Sequence, residues 1–323
     1  MFMVKYIAGI DVGGTKCAVI IGSVDRDNNI TILERYAFPT QGTPDVIISK
    51  ITDKINEFKN TYDIKSIGIS CGGPLDRDKG LILSPPNLPG WDRIEICKIV
   101  TEATGVPSSL SNDADAGALA EWLYGAGKGT KNMIFLTFGT GMGAGLILDS
   151  RLYSGTNSMA GEVGHMRMEA TGPVGYGKEG SFEGFCSGGG IARYAQSVVT
   201  KKLQEGIKPS FCPDENALST VTAHTVAIAA REGDATAKEI FSTVGEYLGR
   251  GLSVLIDILN PQKIVIGSIF LRCEDLLREG MEKAIKREAL SLSSNVCEIV
   301  PVGLGEQIGD YAALAVAQYF SNK

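Results

Sequence analysis

Within the stretch IAGIDVGGTKCAVIIG, residues Asp11, Gly13, Gly14, Thr15 and Lys16 occupy the turn between two apolar runs. A hairpin is closed by Asn-Gly or Asp-Gly alone. Two adjacent glycines followed by a hydroxyl and a cation add bare backbone N–H groups, an O–H and a positive charge, which together suit phosphate oxygens. A second Gly/Thr turn, Gly139, Thr140 and Gly141, interrupts the apolar run NMIFLTFGTGMGAGLILD. Either turn alone is equally a tight hairpin. Two of them, the first led by Asp11, point to a phosphate-bearing ligand, with a carboxylate that makes sense beside phosphate mainly through Mg2+. Better-known glycine motifs do not fit. GAGKGT at Gly125–Thr130 lacks Walker spacing and reads as a helix-to-strand turn, and GTGMGAG leads into a strand where a dinucleotide fingerprint opens a helix.

Two further groups carry titratable side chains. Asn112-Asp113 falls where a strand gives way to a helix, so the pair is either a helix cap or a site for a general base acting on a hydroxyl. Glu162 and His165 stand three apart in AGEVGHM, a segment too rich in glycine to be a metal-bearing helix. His224 has no motif around it.

These residues need a scaffold, and composition says which kind. The chain has 323 residues, 44% hydrophobic and 21% charged, which excludes disorder and favours two domains over one large α/β domain. Its 40 glycines gather in turns rather than linkers. A net charge of −6 argues against a nucleic-acid partner. Lys5 and Asp11 break the apolar start, and no run is long enough to span a bilayer, so the expectation is a soluble, cytoplasmic protein with no membrane partner. Seven scattered cysteines, never spaced as C-x-x-C, read as reduced thiols.

Three β-rich runs, KYIAGID, CAVIIGSVD and ITILERYAF, predict an opening meander. A helix is predicted over TPDVIISKITDKINEFKNTY, where Val46, Ile47, Ile51, Ile55 and Phe58 recur at helical spacing. The buried strand IKSIGISC ends in a long Gly/Pro loop, GGPLDRDKGLILSPPNLPGW. A helix at ADAGALAEWLYGAG and a second strand-turn-strand unit echo this opening. An irregular segment follows from Arg151, then helices through about Leu259, strands KIVIGS and CEIVPVG, and a last helix at EQIGDYAALAVAQYF. The alternation is that of an α/β protein.

In order along the chain, GIDVGGTK, GGPLD, PPNLPGW, SNDADAGALAE, FGTGMGAGLILD, AGEVGHM, EGSFEGFCSG, LNPQKIVIGS and GEQIGDYAALAVA resemble the ROK family of sugar kinases. The resemblance covers essentially the whole chain. It implies a duplicated, actin-like and ribonuclease-H-like α/β ATPase fold with a cleft between two domains. The small N-terminal domain would be residues 1–113 completed by the C-terminal helix 306–323, and the larger one 114–305. It implies ATP as phosphoryl donor with Mg2+, a hexose or N-acetylhexosamine as acceptor, and a homodimer. By resemblance, Asp11, Gly13, Gly14, Thr15 and Lys16 form the first phosphate loop, with Asp11 reaching Mg2+ through water. Gly139, Thr140 and Gly141 form the second, and Gly267 and Ser268 flank the nucleotide. Gly73, Asn87, Asn112, Glu162, His165 and Glu183 bind sugar hydroxyls, and Asp113 takes the proton of the attacking hydroxyl.

One departure from the family pattern is visible. Many relatives carry a zinc loop, C-x-C-G-x-x-G-C-x-E, with the histidine of the GH pair as fourth ligand. Here the stretch reads VGYGKEGSFE, so Val174, Tyr176 and Ser181 replace the thiolates while His165 and Glu183 remain. One imidazole cannot hold a tetrahedral structural site. The expectation is no structural zinc, a loop held by packing of Tyr176, Phe182 and Phe185, and His165 facing the sugar. Other functions weighed are a sugar-responsive repressor or a non-catalytic sugar sensor of the same family, and polyphosphate as donor. Repressors of the family carry an N-terminal helix-turn-helix domain, for which a first strand beginning by about Met3 leaves no room.

Overall fold

The computed structural model describes residues 4–321. The opening meander is β1 (Lys5–Val12), β2 (Lys16–Val24) and β3 (Ile30–Pro39). After it come α1 (Pro44–Phe58), started by Thr43 and Pro44, and β4 (Ile64–Cys71). The first strand, expected from about Met3, begins at Lys5; Met3 lies outside the described residues, as do residues 322–323 of the terminal segment. The segment predicted as a loop, together with the three residues after it, builds a small antiparallel sheet instead, β5 (Leu75–Asp76), β6 (Leu81–Leu83) and β7 (Asp92–Ile94), strands too short to show a period of two. Next are α2 (Ile96–Thr104), β8 (Ser108–Asn112) and α3 (Asp113–Leu123). The main sheet has the order β3-β2-β1-β4-β8.

Period-two alternation decides which residues face which layer. Ala8, Ile10 and Val12 of β1 with Cys17, Val19 and Ile21 of β2 pack under Ile47, Ile51 and Ile55 of α1 and Val100 of α2. The opposite face, Ile7, Ala18 and Ile20, is covered by Leu314 and Ala317 of the last helix. That helix lies close enough to require glycine beneath it. A Cβ on Gly9 would stand 2.9 Å from the Ala313 Cβ, and one on Gly68 would overlap the Ala313 carbonyl and the Ala317 N–H.

The rest of the chain carries β9 (Met133–Phe138), β10 (Met142–Leu148) and β11 (Arg151–Tyr153), the hairpin β12 (Val174–Gly175) and β13 (Lys178–Glu179), and α4 (Phe182–Phe185). Then follow α5 (Gly188–Gln204), α6 (Ala223–Arg231), α7 (Ala235–Leu259), β14 (Lys263–Ile266), α8 (Ile269–Glu288), α9 (Ser291–Ser294), β15 (Glu298–Pro301) and α10 (Ile308–Ser321). The second sheet has the order β11-β10-β9-β14-β15. Two compact units emerge. One runs to Phe135 and takes back Gly145–Ala160 and the chain from Gly303; the other is Leu136–Ala144 with Gly161–Val302. No helix among the described residues is long and apolar enough to cross a membrane.

The GAGKGT segment is the predicted turn, and a buried carboxylate organises it. Glu121 of α3 accepts the N–H groups of Ala126 at 2.8 Å, Gly303 at 3.0 Å and Leu304 at 3.0 Å. One side chain thereby ties the turn after α3 to the backbone that leads into α10.

Candidate functional site

In the first unit the site is built on strand ends. Val12 pairs with Cys71 and Cys71 with Asn112, so the parallel strands β1, β4 and β8 finish level at their carboxyl ends. That edge is where open α/β sheets take ligands. Asp11 lies one residue before it, Gly73 two residues beyond Cys71, and Asp113 one beyond Asn112.

The β1–β2 turn is closed by the Gly13 N–H on the Lys16 carbonyl at 3.1 Å, and Gly14, Thr15 and Lys16 are exposed on it. Asn87 packs directly on Gly14, where a Cβ would come within 2.6 Å of the Asn87 carbonyl oxygen. Its neighbours Leu88 and Trp91 are buried and hold the segment in the core.

Asp11 meets the start of α10. Its Oδ2 lies 3.6 Å from where a Cβ on Gly309 would stand, and Asp310 is gripped by the Arg35 Nε at 2.8 and 3.0 Å. Burial, reinforced by Asp310 and Asp113, raises the Asp11 carboxyl from 3.8 to about 6, with Lys16 and Arg35 pulling the other way. The folded state thus binds this proton more tightly than the unfolded chain does. Charging Asp11 costs the fold stability as pH rises from about 4 through about 6, and the cost is complete above that. Asp11→Asn is therefore expected to melt above the wild type at pH 8 and level with it at pH 4. The upper bound on the difference is about 3 kcal/mol. Paired thermal melts check this, and equal melting temperatures at pH 8 would refute it.

Of Asn112 and Asp113, the helix cap falls to Asn112. Asn112 caps α3, its Oδ1 accepting the Asp115 N–H at 2.6 Å. Asp113 is left without that duty; its Oδ1 accepts the Ala114 N–H at 2.9 Å, and the side chain stays open to solvent. Desolvation by the surrounding protein still raises its carboxyl, against the pull of backbone N–H groups of Ala114 and Asp113. The first turn of α3 is braced from below: the Ser154 hydroxyl donates to Asp115 Oδ2 at 2.8 Å and accepts from Arg77 Nη1 at 2.5 Å.

The second unit gathers the remaining candidates around the Gly139–Gly141 turn. Gly139 N–H bonds the Gly141 carbonyl at 3.1 Å, and the Gly188 N–H bonds the Gly139 carbonyl at 2.7 Å. Glu183 of α4 reaches this turn, its Oε2 accepting the Met142 N–H at 3.0 Å and leaving only 2.9 Å for a Cβ on Gly141. Ser268, with φ +48°, stands 3.7 Å from where a Cβ on Gly139 would be, and the Gly267 N–H bonds the Leu136 carbonyl at 3.0 Å. Glu162 and His165 share a single 3₁₀ turn, Val163–His165, in which the His165 N–H bonds the Glu162 carbonyl at 3.1 Å. The turn hangs on β10 through the Ala144 N–H and the Gly161 carbonyl, 2.8 Å apart. Thr140 is exposed at the tip of the β9–β10 turn, between half-buried Gly139 and Gly141.

The segment lacking the cysteines is held by other means. Ser181 is fully buried and caps α4, its Oγ accepting the Gly184 N–H at 3.1 Å. Phe182 and Phe185 are buried as expected, Phe185 stacking on Tyr247 at 3.7 Å. The expected packing of Tyr176 is corrected. It sits at the hairpin tip with φ +42°, 65% exposed, and meets only the edge of the His165 ring at 5.4 Å among the described aromatic contacts. Polar clamps do that work instead: Arg250 pairs with Glu169 at 2.7 Å, Arg167 Nη1 donates to the Glu179 carbonyl at 2.9 Å, and Lys178 donates to the His165 carbonyl. Cys186 is buried against the Val244 carbonyl, and burial holds its thiol protonated. Zinc does not fit this residue set; among the described residues no three His, Cys, Asp or Glu side chains are grouped to hold a metal ion.

Sequence reasoning missed Thr40, Arg35 and Asp310 in the first unit. Thr40 lies just after a strand with no motif around it, and Asp310 is inside GEQIGDYAALAVA, where an acidic residue near the end of the sequence carried no signal of its nearness to Asp11.

With this geometry in hand the comparisons are specific. The model of the ROK family matches residues 7–319. The chain belongs to the ROK family. It is 31% identical to a glucokinase of Halalkalibacterium halodurans, over 94% of this chain and 92% of the relative. It is 27% identical to the xylose repressor of Bacillus subtilis, over 93% of this chain and 74% of the repressor. The solved ROK glucokinase from Streptomyces griseus in complex with glucose and AMPPNP superposes with a TM-score of 0.75 at 26% identity, covering 98% of this chain and 100% of that one. The fold is the actin-like, ribonuclease-H-like α/β fold of ROK sugar kinases.

Proposed function

We propose that this ROK protein is a sugar kinase that transfers the γ-phosphoryl group of ATP to a hexose hydroxyl, with Asp113 as general base. The observation that carries the reading is Asp113 itself: a solvent-open carboxylate at the level edge of β1, β4 and β8, relieved of helix capping by Asn112 and raised above the ordinary carboxylate value by desolvation. A base so poised removes a hydroxyl proton as attack proceeds, worth about 10²- to 10⁴-fold. Gly13, Gly14, Thr15 and Lys16 on one turn and Gly139, Thr140 and Gly141 on the other offer phosphate oxygens N–H, O–H and ammonium donors, and Gly267 and Ser268 flank the nucleotide. Gly73, Asn87, Asn112, Glu162, His165 and Glu183 read sugar hydroxyls. Phosphoryl transfer is mainly positioning and charge stabilisation, so these roles suffice for the chain.

Mg2+ fits the first turn. Asp11 is pushed up to about 6 by burial and by Asp310 and Asp113, against the pull of Lys16 and Arg35, so its charged form would gain from a further cation beside it. Bound with the nucleotide, Mg2+ supplies that charge and neutralises phosphate oxygens, keeping several waters of its own. Relatives include glucokinases and a xylose repressor, so the test is enzymatic. A coupled ADP-release assay across glucose, mannose, fructose, allose and N-acetylated amino sugars is expected to show turnover with at least one. Sugar binding without turnover on any of them would favour the regulator reading, and turnover with polyphosphate alone would replace ATP.

The replaced cysteines lead to a second expectation, that the purified protein carries no stoichiometric zinc and keeps its activity after dialysis against a chelator. Elemental analysis decides; one zinc per chain surviving the chelator would mean that ligands come from outside this segment.

A further inference from the structure

Thr40, the residue after β3, touches the β1–β2 turn at two points and Cys17 of β2 at a third. Its hydroxyl donates to the Gly13 carbonyl at 2.6 Å, its N–H donates to the Thr15 carbonyl at 2.9 Å, and its Oγ1 lies 3.3 Å from Cys17 Sγ. Because the threonine proton is already on the Gly13 carbonyl, the thiol is the donor in the last contact. The consequence lies in the peptide planes. In a trans peptide the C=O and the following N–H point in opposite directions. Holding the Gly13 carbonyl aims the Gly14 N–H away from Thr40, and holding the Thr15 carbonyl does the same for the Lys16 N–H. Among the described residues no hydrogen bond within the protein takes the N–H of Gly14 or Thr15.

The Gly13–Gly14 peptide lacks side chains on both flanks and has little steric preference of its own. Released, it can flip, and a flipped peptide presents a carbonyl oxygen where a phosphate oxygen is to sit. We infer that Thr40 is a positioning residue that locks the β1–β2 turn with its N–H groups facing the nucleotide phosphates. The inference rests on the reading of that turn as a phosphate loop, and adds a residue to it that touches neither phosphate nor sugar. The Cys17 thiol supports the lock by occupying the second face of the threonine oxygen.

Thr40→Val keeps shape and backbone N–H but removes the hydroxyl; Thr40→Ser keeps the hydroxyl. Calorimetry with MgADP and steady-state kinetics on the full chain separate the outcomes. Thr40→Val is expected to weaken MgADP binding and raise the KM for MgATP by about tenfold, with the sugar KM within about twofold of wild type. Thr40→Ser is expected to return both nucleotide constants to within about threefold. Thr40→Ala repeats the deletion should the valine variant not fold. Wild-type MgADP affinity in the deletion variants, or sugar and nucleotide constants moving together, overturns the lock while leaving the kinase reading intact. No MgADP binding by the wild type overturns the phosphate-loop reading and the lock with it.

Discussion

Asp113→Asn is expected to lower kcat by at least about 10²-fold while the sugar KM stays near wild type and the melting temperature does not fall, since a carboxyl raised in the fold gains nothing in stability from its charge. The substitution is nearly isosteric, and the amide oxygen can still accept the Ala114 N–H that Oδ1 takes at 2.9 Å. The helix keeps its cap, because the capping oxygen belongs to Asn112. What is lost is a group able to hold a proton, so the change falls on the chemical step and not on binding. Steady-state kinetics and a thermal melt on the same preparation check it. Turnover within tenfold of wild type would demote Asp113 to an ordinary first-turn residue.

Gly14→Ala is expected to be nearly as damaging for a different reason. A Cβ there would come within 2.6 Å of the Asn87 carbonyl oxygen and 2.8 Å of its Cβ. Neither atom is the loose end of a side chain, and buried Leu88 and Trp91 keep the segment from retreating. The β1–β2 turn must shift, and a displacement of about 1 Å in a positioned group can cost about 10²-fold. A fall in kcat/KM of about that size is expected, with the nucleotide KM raised more than the sugar KM, since the turn shifts while Asn87 is held in place. Gly72→Ala, with open space around its Cβ, is the control and is expected to stay within about threefold of wild type. Equal behaviour of the two variants would show that Asn87 yields easily.

Much of the scaffold was legible because apolar alternation and glycine turns are local signals. β1, β2, β3, β4 and α1 fall where the runs and helical spacing put them. The Asn112 cap was legible as one of two alternatives for the pair, and the structure gives that cap to Asn112 and not to Asp113. The short strands β5 to β7 were not legible, because two- and three-residue strands are defined by pairing and not by pattern. Tyr176 was misread for a related reason. An aromatic residue in a missing-metal loop invites a packing role, whereas the hairpin places it at a turn tip with positive φ. Thr40 and Asp310 reach the site only through tertiary structure, one across a strand pair and one from the far end of the chain.

The seating of α10 on Gly9 and Gly68 has a consequence for how the protein is made. These glycines, with Ile7, Ala18 and Ile20, form a sheet face that is finished only by residues more than 240 positions later, around Ala313 to Ala317. A ribosome adding about 5–20 residues per second needs roughly 12–60 s to cover these intervals. Throughout them the nascent first sheet carries one naked apolar side, a surface for chaperones or for another nascent chain. Shortening the chain by its last few turns therefore strikes the earliest strands synthesised, and a premature stop near the end is expected to yield an aggregating product and not a trimmed enzyme.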